Sequence, residues 1–312
     1  MSESRRRAKA LARSAFLLLM RATVARTGPR AVLNVGYGFL GDRHRARLHS
    51  LCAGMFRDRD PLLASGVWRV RFHGREILLP LTRERAWQEW DSAVSIVGND
   101  LEVKQSYEML LETRRINVFF DIGGNYGTHS LLMLAHGVRV VTFEPNAACH
   151  DYLLRVARMN GFSPDIQGVA LGNIEGDATL VFPEKETWLG KLRSGSDESV
   201  AMPPTSRAER VKVTTLDAYC ARTQLFPDLI KIDTEGAEAS VLSGALTTIA
   251  KARPVIILEC FPEHRDEVGR VLDGLSYSVL AAPLTRSGAG YPLTRREFAE
   301  HPATNFVAIP DL

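Results

Sequence analysis

From Asn117 to the C-terminus, short and almost wholly apolar runs alternate with helical stretches, and this rhythm restricts the chain to one class of architecture. The runs are "VFFDIG", "VRVVTFEP", "DIQGVALG", "DLIKID", "PVIILEC", "YSVLAAP" and "NFVAIP". Strands that are apolar throughout, rather than at every second position, belong to a sheet covered on both faces. The intervening stretches read as helices. "YGTHSLLMLAHG" is ended by Gly137, and "NAACHDYLLRVARMNG" is capped by Asn146 and ended at Asn160–Gly161. "GAEASVLSGALTTIAKA" reads as one helix with Val241, Leu242, Ala245, Leu246 and Ile249 on a common face. "PEHRDEVGRVLDGLS" is another. The expectation is an α/β fold with a doubly wound, seven-stranded Rossmann-like sheet. Such sheets bind ligands at the carboxyl ends of their strands.

The remainder divides into an N-terminal extension, 1–65, basic and mainly helical, and a connecting segment, 66–116, with the core domain at 117–312. In the connecting segment, "VWRVRFHGREILLPL" alternates around His73–Gly74 and predicts a β-hairpin. "ERAWQEWDSAVSIV" and "NDLEVKQSYEMLLE" read as helices, with Asn99 and Asp100 suited to cap the second. Within the core, "ATLVF" and "RVKVTTLDAYC" read as antiparallel or connecting strands. Between them, Pro183 to Arg210 is polar, and is expected to be a lid over a site or a plain insertion.

Charge is uneven. Residues 1–60 hold 13 Lys/Arg against 4 Asp/Glu, although the whole chain is only +3. The apolar run "AFLLLM" lies between Arg13 and Arg21 and is too short to cross a bilayer. It suits a basic helix, residues 1–25, lying on a membrane surface; a solvated arm is the plainer reading. A nucleic-acid role for the arm lacks aromatic residues to stack on bases. Cys52, Cys149, Cys220 and Cys260 are scattered without metal-ligand spacing, as expected of reduced thiols in a cytoplasmic protein.

The most informative stretch is "VFFDIGGNYGTHS", Val118 to Ser130. A strand ends at Asp121, and Gly123, Gly124, Asn125 and Gly127 then lead into a helix. The lysine of a P-loop is missing, and the glycine spacing is not G-x-G-x-x-G. A carboxylate beside the turn would repel a pyrophosphate and attract an ammonium group. S-adenosylmethionine carries an amino-acid tail and a sulfonium, with no phosphate. Glu144 ends the next strand about 20 residues on, where an acid can accept hydrogen bonds from ribose hydroxyls. The pattern favours S-adenosyl-L-methionine over a nicotinamide dinucleotide.

Together with "VVTFEPN", "GVALGN" and "VTTLDAYC…FPDLIKIDTEGAEASVLSGA", this stretch resembles the FkbM family of S-adenosylmethionine-dependent methyltransferases. The likeness runs from about Trp68 to Pro310, strongly after Asn117. It implies a class I methyltransferase fold and O-methylation of a sugar, glycolipid or polyketide-type hydroxyl. It also implies that Asp121, Gly123, Gly124, Asn125 and Gly127 form the cofactor loop, with Glu144 on the ribose. Ala170 and Leu171 would flank the adenine, and Asp233 would stand beside the methyl group. A nitrogen acceptor, or an RNA held by the basic arm, is the alternative.

Methyl transfer to a hydroxyl needs alignment of oxygen, carbon and sulfur, and a group to take the departing proton. The candidates at the strand ends are Asp233, Glu235 and Glu259. Glu238 and His264 have structural readings, in the first turn of a helix and on a helix surface, and His150 is also expected to be structural. The Asp233/Glu235 pair alone does not complete the oxygen shell of a divalent cation, so no metal is expected.

Overall fold

The computed structural model describes residues 3–41, 66–82, 99–183, 190–193, 206–285 and 290–311, with 44, 47–48, 51, 89, 92 and 96. Most of the helix expected over 84–97 and most of the expected lid, Trp188 included, lie outside these residues, as does Cys52. The chain forms two compact units, residues 1–99 with 159–161, and 100–158 with 162–312.

In the first unit, α1 (Glu3–Ala25) and α2 (Thr27–Gly38) precede a hairpin of β1 (Gly66–Phe72) and β2 (Arg75–Leu81). Arg30 is buried and donates to the Val24 carbonyl at 3.0 Å, tying the two helices together. The hairpin pairs Phe72 with Arg75, and His73 and Gly74 both have positive φ, the geometry that turns antiparallel strands over two residues. Trp68, Val70, Phe72, Ile77 and Leu79 are buried, as the alternation predicts.

The second unit starts with α3 (Leu101–Thr113). Asp100 precedes it in a left-handed conformation, and its side chain makes no capping hydrogen bond, contrary to expectation. The chain continues through β3 (Val118–Ile122), α4 (Thr128–Ala135), β4 (Arg139–Phe143), α5 (Ala147–Asn160), β5 (Asp165–Gln167), β6 (Ala170–Leu171), β7 (Gly176–Pro183), β8 (Lys191–Arg193) and β9 (Ser206–Thr214). It proceeds with α6 (Leu216–Thr223), β10 (Leu229–Ile232), α7 (Glu238–Ser243), α8 (Leu246–Ala252), β11 (Val255–Glu259), α9 (Arg265–Gly274), β12 (Tyr277–Ala281), α10 (Arg295–Glu300) and β13 (Asn305–Pro310).

The main sheet has seven strands in the order β12-β13-β11-β10-β3-β4-β5, with β13 antiparallel to both neighbours and the pairs from β11 through β5 all parallel. The strand order reverses between β3 and β10, so a crevice opens at their carboxyl ends. The central strands are buried except at Val118 and Glu259, which are half-buried, and this is why their sequences are apolar on both faces. Phe120, Phe143 and Tyr219 stack edge to face beneath the sheet.

Three expectations about elements are corrected. "DIQGVALG" is two strands in two sheets: β5 closes the main sheet, while β6 pairs with β9 in a second sheet of order β6-β9-β7-β8. The break falls at Gly168, where a side chain would press on the His150 ring. "LDAYC" is helical rather than extended, because Thr215 accepts from the Ala218 N–H and starts α6. The helix expected from Gly236 to Ala252 is broken into α7 and α8 at Gly244–Ala245. A Cβ on Gly244 would overlap the Gly172 carbonyl, and the Asp217 carboxylate caps α8 by accepting from Thr247 and Thr248 N–H at 2.9 and 2.7 Å. Of the predicted apolar face, Leu246 is exposed, and the other four residues are buried.

The helix α10 carries a capping box, Thr294 with Glu297, and was not anticipated. Buried Arg265 donates to the carbonyls of Cys260, Phe298, His301 and Ala303, joining the start of α9 to the segment that leads into β13. Cys149, Cys220 and Cys260 are buried free thiols. No described helix is long and apolar enough to cross a membrane.

Candidate active site

At the carboxyl ends of β3, β10 and β11 the sheet brings together the residues of two predicted groups. The first is the glycine turn. Gly123 has φ +77°, and a Cβ there would overlap the Asp233 carbonyl oxygen of the adjacent strand end. A side chain on Gly124 would meet the Thr142 methyl, and one on Gly127 the Leu153 side chain. The missing side chains are thus accounted for by close packing of the turn on the strands beside it, in addition to any room for a ligand. The turn's N–H groups are spent internally: Gly123 and Gly124 donate to the Phe143 carbonyl at 2.9 and 3.2 Å, and Gly127 to the Gly124 carbonyl at 2.7 Å.

Asn125 completes the turn with φ +49°, and its N–H donates to Glu144 Oε2 at 2.7 Å. The other Glu144 oxygen accepts from the Asn146 N–H at 2.8 Å. Glu144 therefore locks the glycine turn to the end of β4. A carboxylate has about four acceptor directions, so two such bonds leave room for hydroxyl donors. Burial pushes the Glu144 carboxyl up to about 7, against the pull of those two N–H groups. His150 bonds the Glu144 carbonyl at 2.6 Å and serves structure, as expected.

Asp121 is buried and receives a hydrogen bond from the Ser130 hydroxyl at 2.6 Å; Ser130 in turn contacts Thr142 Oγ1 at 2.7 Å. Burial raises the Asp121 carboxyl to about 6, opposed by Ser130 and by the Lys231 cation. Lys231 is the register partner of Asp121 across the β3–β10 pair.

The second group is acidic. Asp233 follows β10, its N–H donating to the Ile122 carbonyl at 2.9 Å, and its carboxylate lies 3.1 Å from Lys231 Nζ. Parallel pairing of Ile232 with Leu258 puts Glu259 beside Asp233, and the two carboxyls share a hydrogen bond. Burial pushes Asp233 up, but the Lys231 cation and the Glu259 hydrogen bond outweigh it and hold Asp233 below the usual carboxylate range. Burial and the Asp233 charge raise Glu259 to about 8. Near neutral pH the pair therefore holds one proton, resident on Glu259. Lys231 is 1% exposed and its pKa is raised: burial opposes the charge, but Asp233, Asp100 and Glu259 outweigh it.

Glu235 sits on the turn after β10 with φ +56°, half-buried. The hydrogen bond to Asp233 comes from Glu259. Glu238 accepts from the Thr234 and Gly236 N–H groups and the Thr234 hydroxyl, so it organises the turn. His264 stands in a short 3-10 turn, half-buried against Gly236, rather than on an open helix surface. Leu171 packs into the main core and Ala170 is buried in the second sheet. Among the described residues no group of three or more His, Cys, Asp or Glu side chains could hold a metal.

Sequence reasoning left several neighbours unassigned. Tyr107 of α3 bonds His129 Nδ1 at 3.1 Å, and Asp100 lies 3.9 Å from His129 Nε2. Burial, Lys231 and Lys104 push His129 well below its ordinary value, so it is neutral. Lys104 is buried and lowered to about 8 by desolvation. Lys231 did carry a signal: a lysine inside a strand otherwise made of leucine and isoleucine is buried, and a buried cation needs an anion.

A sequence profile of the methyltransferase FkbM domain matches residues 121–291, more than half of the chain. The chain belongs to the FkbM methyltransferase family. Its main sheet has the seven strands that the strand count predicted and is the class I methyltransferase sheet that the resemblance implied. Solved structures similar to this FkbM-family chain include an FkbM methyltransferase from Methylobacillus flagellatus KT, 18% identical over 62% of this chain and 43% of that one, with TM-score 0.39. The chain thus spans less than half of that protein's length. A 16S rRNA N2 G1207 methyltransferase from T. thermophilus, in complex with AdoMet and guanosine, is 13% identical over 80% of this chain and 52% of that one, with TM-score 0.35. No curated protein matches.

Proposed function

We propose that this FkbM-family methyltransferase uses S-adenosyl-L-methionine to methylate a hydroxyl group of a sugar, glycolipid or polyketide-type acceptor. The glycine turn fits that donor better than a nucleotide. Four of the turn's N–H groups already donate within the protein, so they do not form a cradle for phosphate, and the carboxyls of Asp121 and Glu144 flank the turn. An ammonium group and ribose hydroxyls suit such surroundings; a pyrophosphate does not. Asp121, Gly123, Gly124, Asn125, Gly127 and Glu144 would hold the donor, with Ala170 and Leu171 on its adenine side. When bound, the donor supplies an electrophilic methyl group on a sulfonium.

The observation that carries the oxygen reading is the Asp233–Glu259 pair. An alcohol must lose a proton as it attacks, and an ionised Asp233 beside a protonated Glu259 can take that proton at Oδ2 or Oδ1. Lys231 keeps Asp233 ionised and fixes its position. Neutral His129, bonded to Tyr107, offers a further polar contact without adding charge. Glu235, half-buried on the turn after β10, is a second candidate for the acceptor side of the site.

The test has two parts. Titration calorimetry should show S-adenosylhomocysteine binding that Glu144→Ala abolishes. Labelled methyl groups transferred into a cell extract should then be found on oxygen by mass spectrometry. Methyl label on nitrogen would replace the hydroxyl reading, and absence of adenosyl-ligand binding would remove the cofactor assignment.

A further inference from the structure

The helices of residues 3–41 have two properties that methyl transfer does not use. The first is charge: this stretch contains eight Lys/Arg and a single acid, Glu3. The second is a surplus of bare apolar surface. A helix packed on a soluble protein needs one apolar stripe. On α1 that stripe is supplied by Met20 and Val24, both buried. Leu11 and Leu18, seven positions apart, stand one above the other on the opposite side, with Leu19 alongside. On α2, Arg30 is turned inward, while Val32, Val35 and, just beyond the helix, Phe39 repeat at helical spacing on the other side. These six apolar side chains are 64% to 86% exposed. Bare surface of this kind marks a site of association.

Charge decides what covers it. Arg7 and Arg21 are one turn from Leu11 and Leu18, Arg5 is exposed on the flank of the leucine stripe, and Lys9 and Arg13 are exposed farther round the same helix. A second copy of the chain would bring two strongly cationic segments face to face. An uncharged apolar partner would not be attracted by the positive charge of the segment. An anionic bilayer answers both features, since its acyl region accepts leucine while its phosphates accept guanidinium groups on stems that run along the apolar surface. Neither helix is apolar enough to span the bilayer, so the segment lies in its plane. We infer that residues 3–39 form a peripheral anchor for anionic lipid surfaces, with Leu11, Leu18 and Leu19 of α1 inserted among the headgroups and α2 offering a second apolar stripe.

The test uses the full-length protein. It should sediment with phosphatidylcholine vesicles that contain phosphatidylglycerol, but not with phosphatidylcholine alone, and added salt should weaken the association. The triple variant Leu11→Ser, Leu18→Ser, Leu19→Ser and the triple variant Arg5→Gln, Arg7→Gln, Arg13→Gln should each lower vesicle partitioning by roughly tenfold or more. Both should keep wild-type circular dichroism and S-adenosylhomocysteine affinity. Leu18→Trp should show a blue-shifted emission only with the anionic vesicles. Wild-type protein that stays in the supernatant with both vesicles, or a triple-Leu variant that still binds, would overturn the inference. So would a wild-type dimer that the triple-Leu variant converts to monomer, since a second copy would then be the occupant.

Discussion

At the scale of single residues the site works through two demands: no side chain at Gly123, and one proton between two acids. Gly123 combines a left-handed backbone with a close approach to the Asp233 carbonyl, whereas Gly137, at nearly the same φ, has nothing within 4 Å of where a Cβ would be. Gly137→Ala should therefore cost about 1 kcal/mol, the conformational penalty alone. Gly123→Ala should cost roughly 2–4 kcal/mol, because the strand end must also move. Urea unfolding of the two variants measures the difference, and equal losses would show that the approach to Asp233 is relieved cheaply. The acids make a kinetic prediction. Asp233→Asn should lower kcat/KM by about 10²–10⁴ if Asp233 receives the hydroxyl proton. Glu259→Gln keeps a hydrogen-bond donor beside Asp233 but no longer titrates. It should retain most of the rate near neutrality and lose any step in the pH profile near the Glu259 value of about 8. A Glu259→Gln enzyme as slow as Asp233→Asn would transfer the proton-accepting role to Glu259.

At the scale of elements, Asp217 shows how one side chain sets a boundary. By accepting from Thr247 and Thr248 it starts α8 at the place where Gly244 meets Gly172. Asp217→Ala should lower stability by about 1 kcal/mol, as for other lost caps, and leave adenosyl-ligand affinity unchanged. Thermal unfolding and calorimetry check both halves; a loss of affinity would couple this helix boundary to the site. The same boundary shows what the sequence could and could not tell. Periodicity ran through "SVLSGALTTI" because Val241, Leu242, Ala245 and Ile249 do share the core, so the pattern held while the helix broke. The cap lay about thirty residues upstream, in a segment read as extended. Likewise β5 and β6 read as one strand because nothing local says that two strands a few residues apart join different sheets. The strands of the main sheet were legible because both of their faces are buried. Asp121, Glu144, Asp233 and Glu259 were legible because acids at apolar strand ends stand out. His129 and Tyr107 were not, because their pairing depends on α3 lying against α4, a tertiary contact with no local signature.

At the scale of the whole molecule, the second unit stores a set of acids in a protonation balance unlike that of the unfolded chain, and this gives its stability a definite pH dependence. Burial raises Asp121 to about 6, Glu144 to about 7 and Glu259 to about 8, from ordinary values of 3.8, 4.5 and 4.5. A carboxyl whose folded value is raised binds more protons in the folded state, so the stability tied to it is complete below the unfolded value and is lost as pH rises through the folded value. Asp233 is shifted the opposite way, and its contribution is lost only in stronger acid, as pH falls through its depressed value. His129, pushed well below its ordinary value of 6.5, works the opposite way and offsets one of these groups up to that pH. The three raised carboxyls outnumber it, so the protein free of ligand should weaken from about pH 5 to about pH 8, with each raised group adding at most about 1.4 kcal/mol per pH unit. Denaturant unfolding across this range measures the slope. Glu144→Gln should flatten it from about pH 4.5 to 7 and keep the wild-type slope between about pH 7 and 8, whereas Glu259→Gln should flatten it from about pH 4.5 to 8. Binding of a cation beside Asp121 or Glu144 would favour their ionised forms, so S-adenosylmethionine should raise stability more at pH 8 than at pH 5. A stabilisation that shrinks as pH rises would mean that the ligand's positive end does not face these carboxylates.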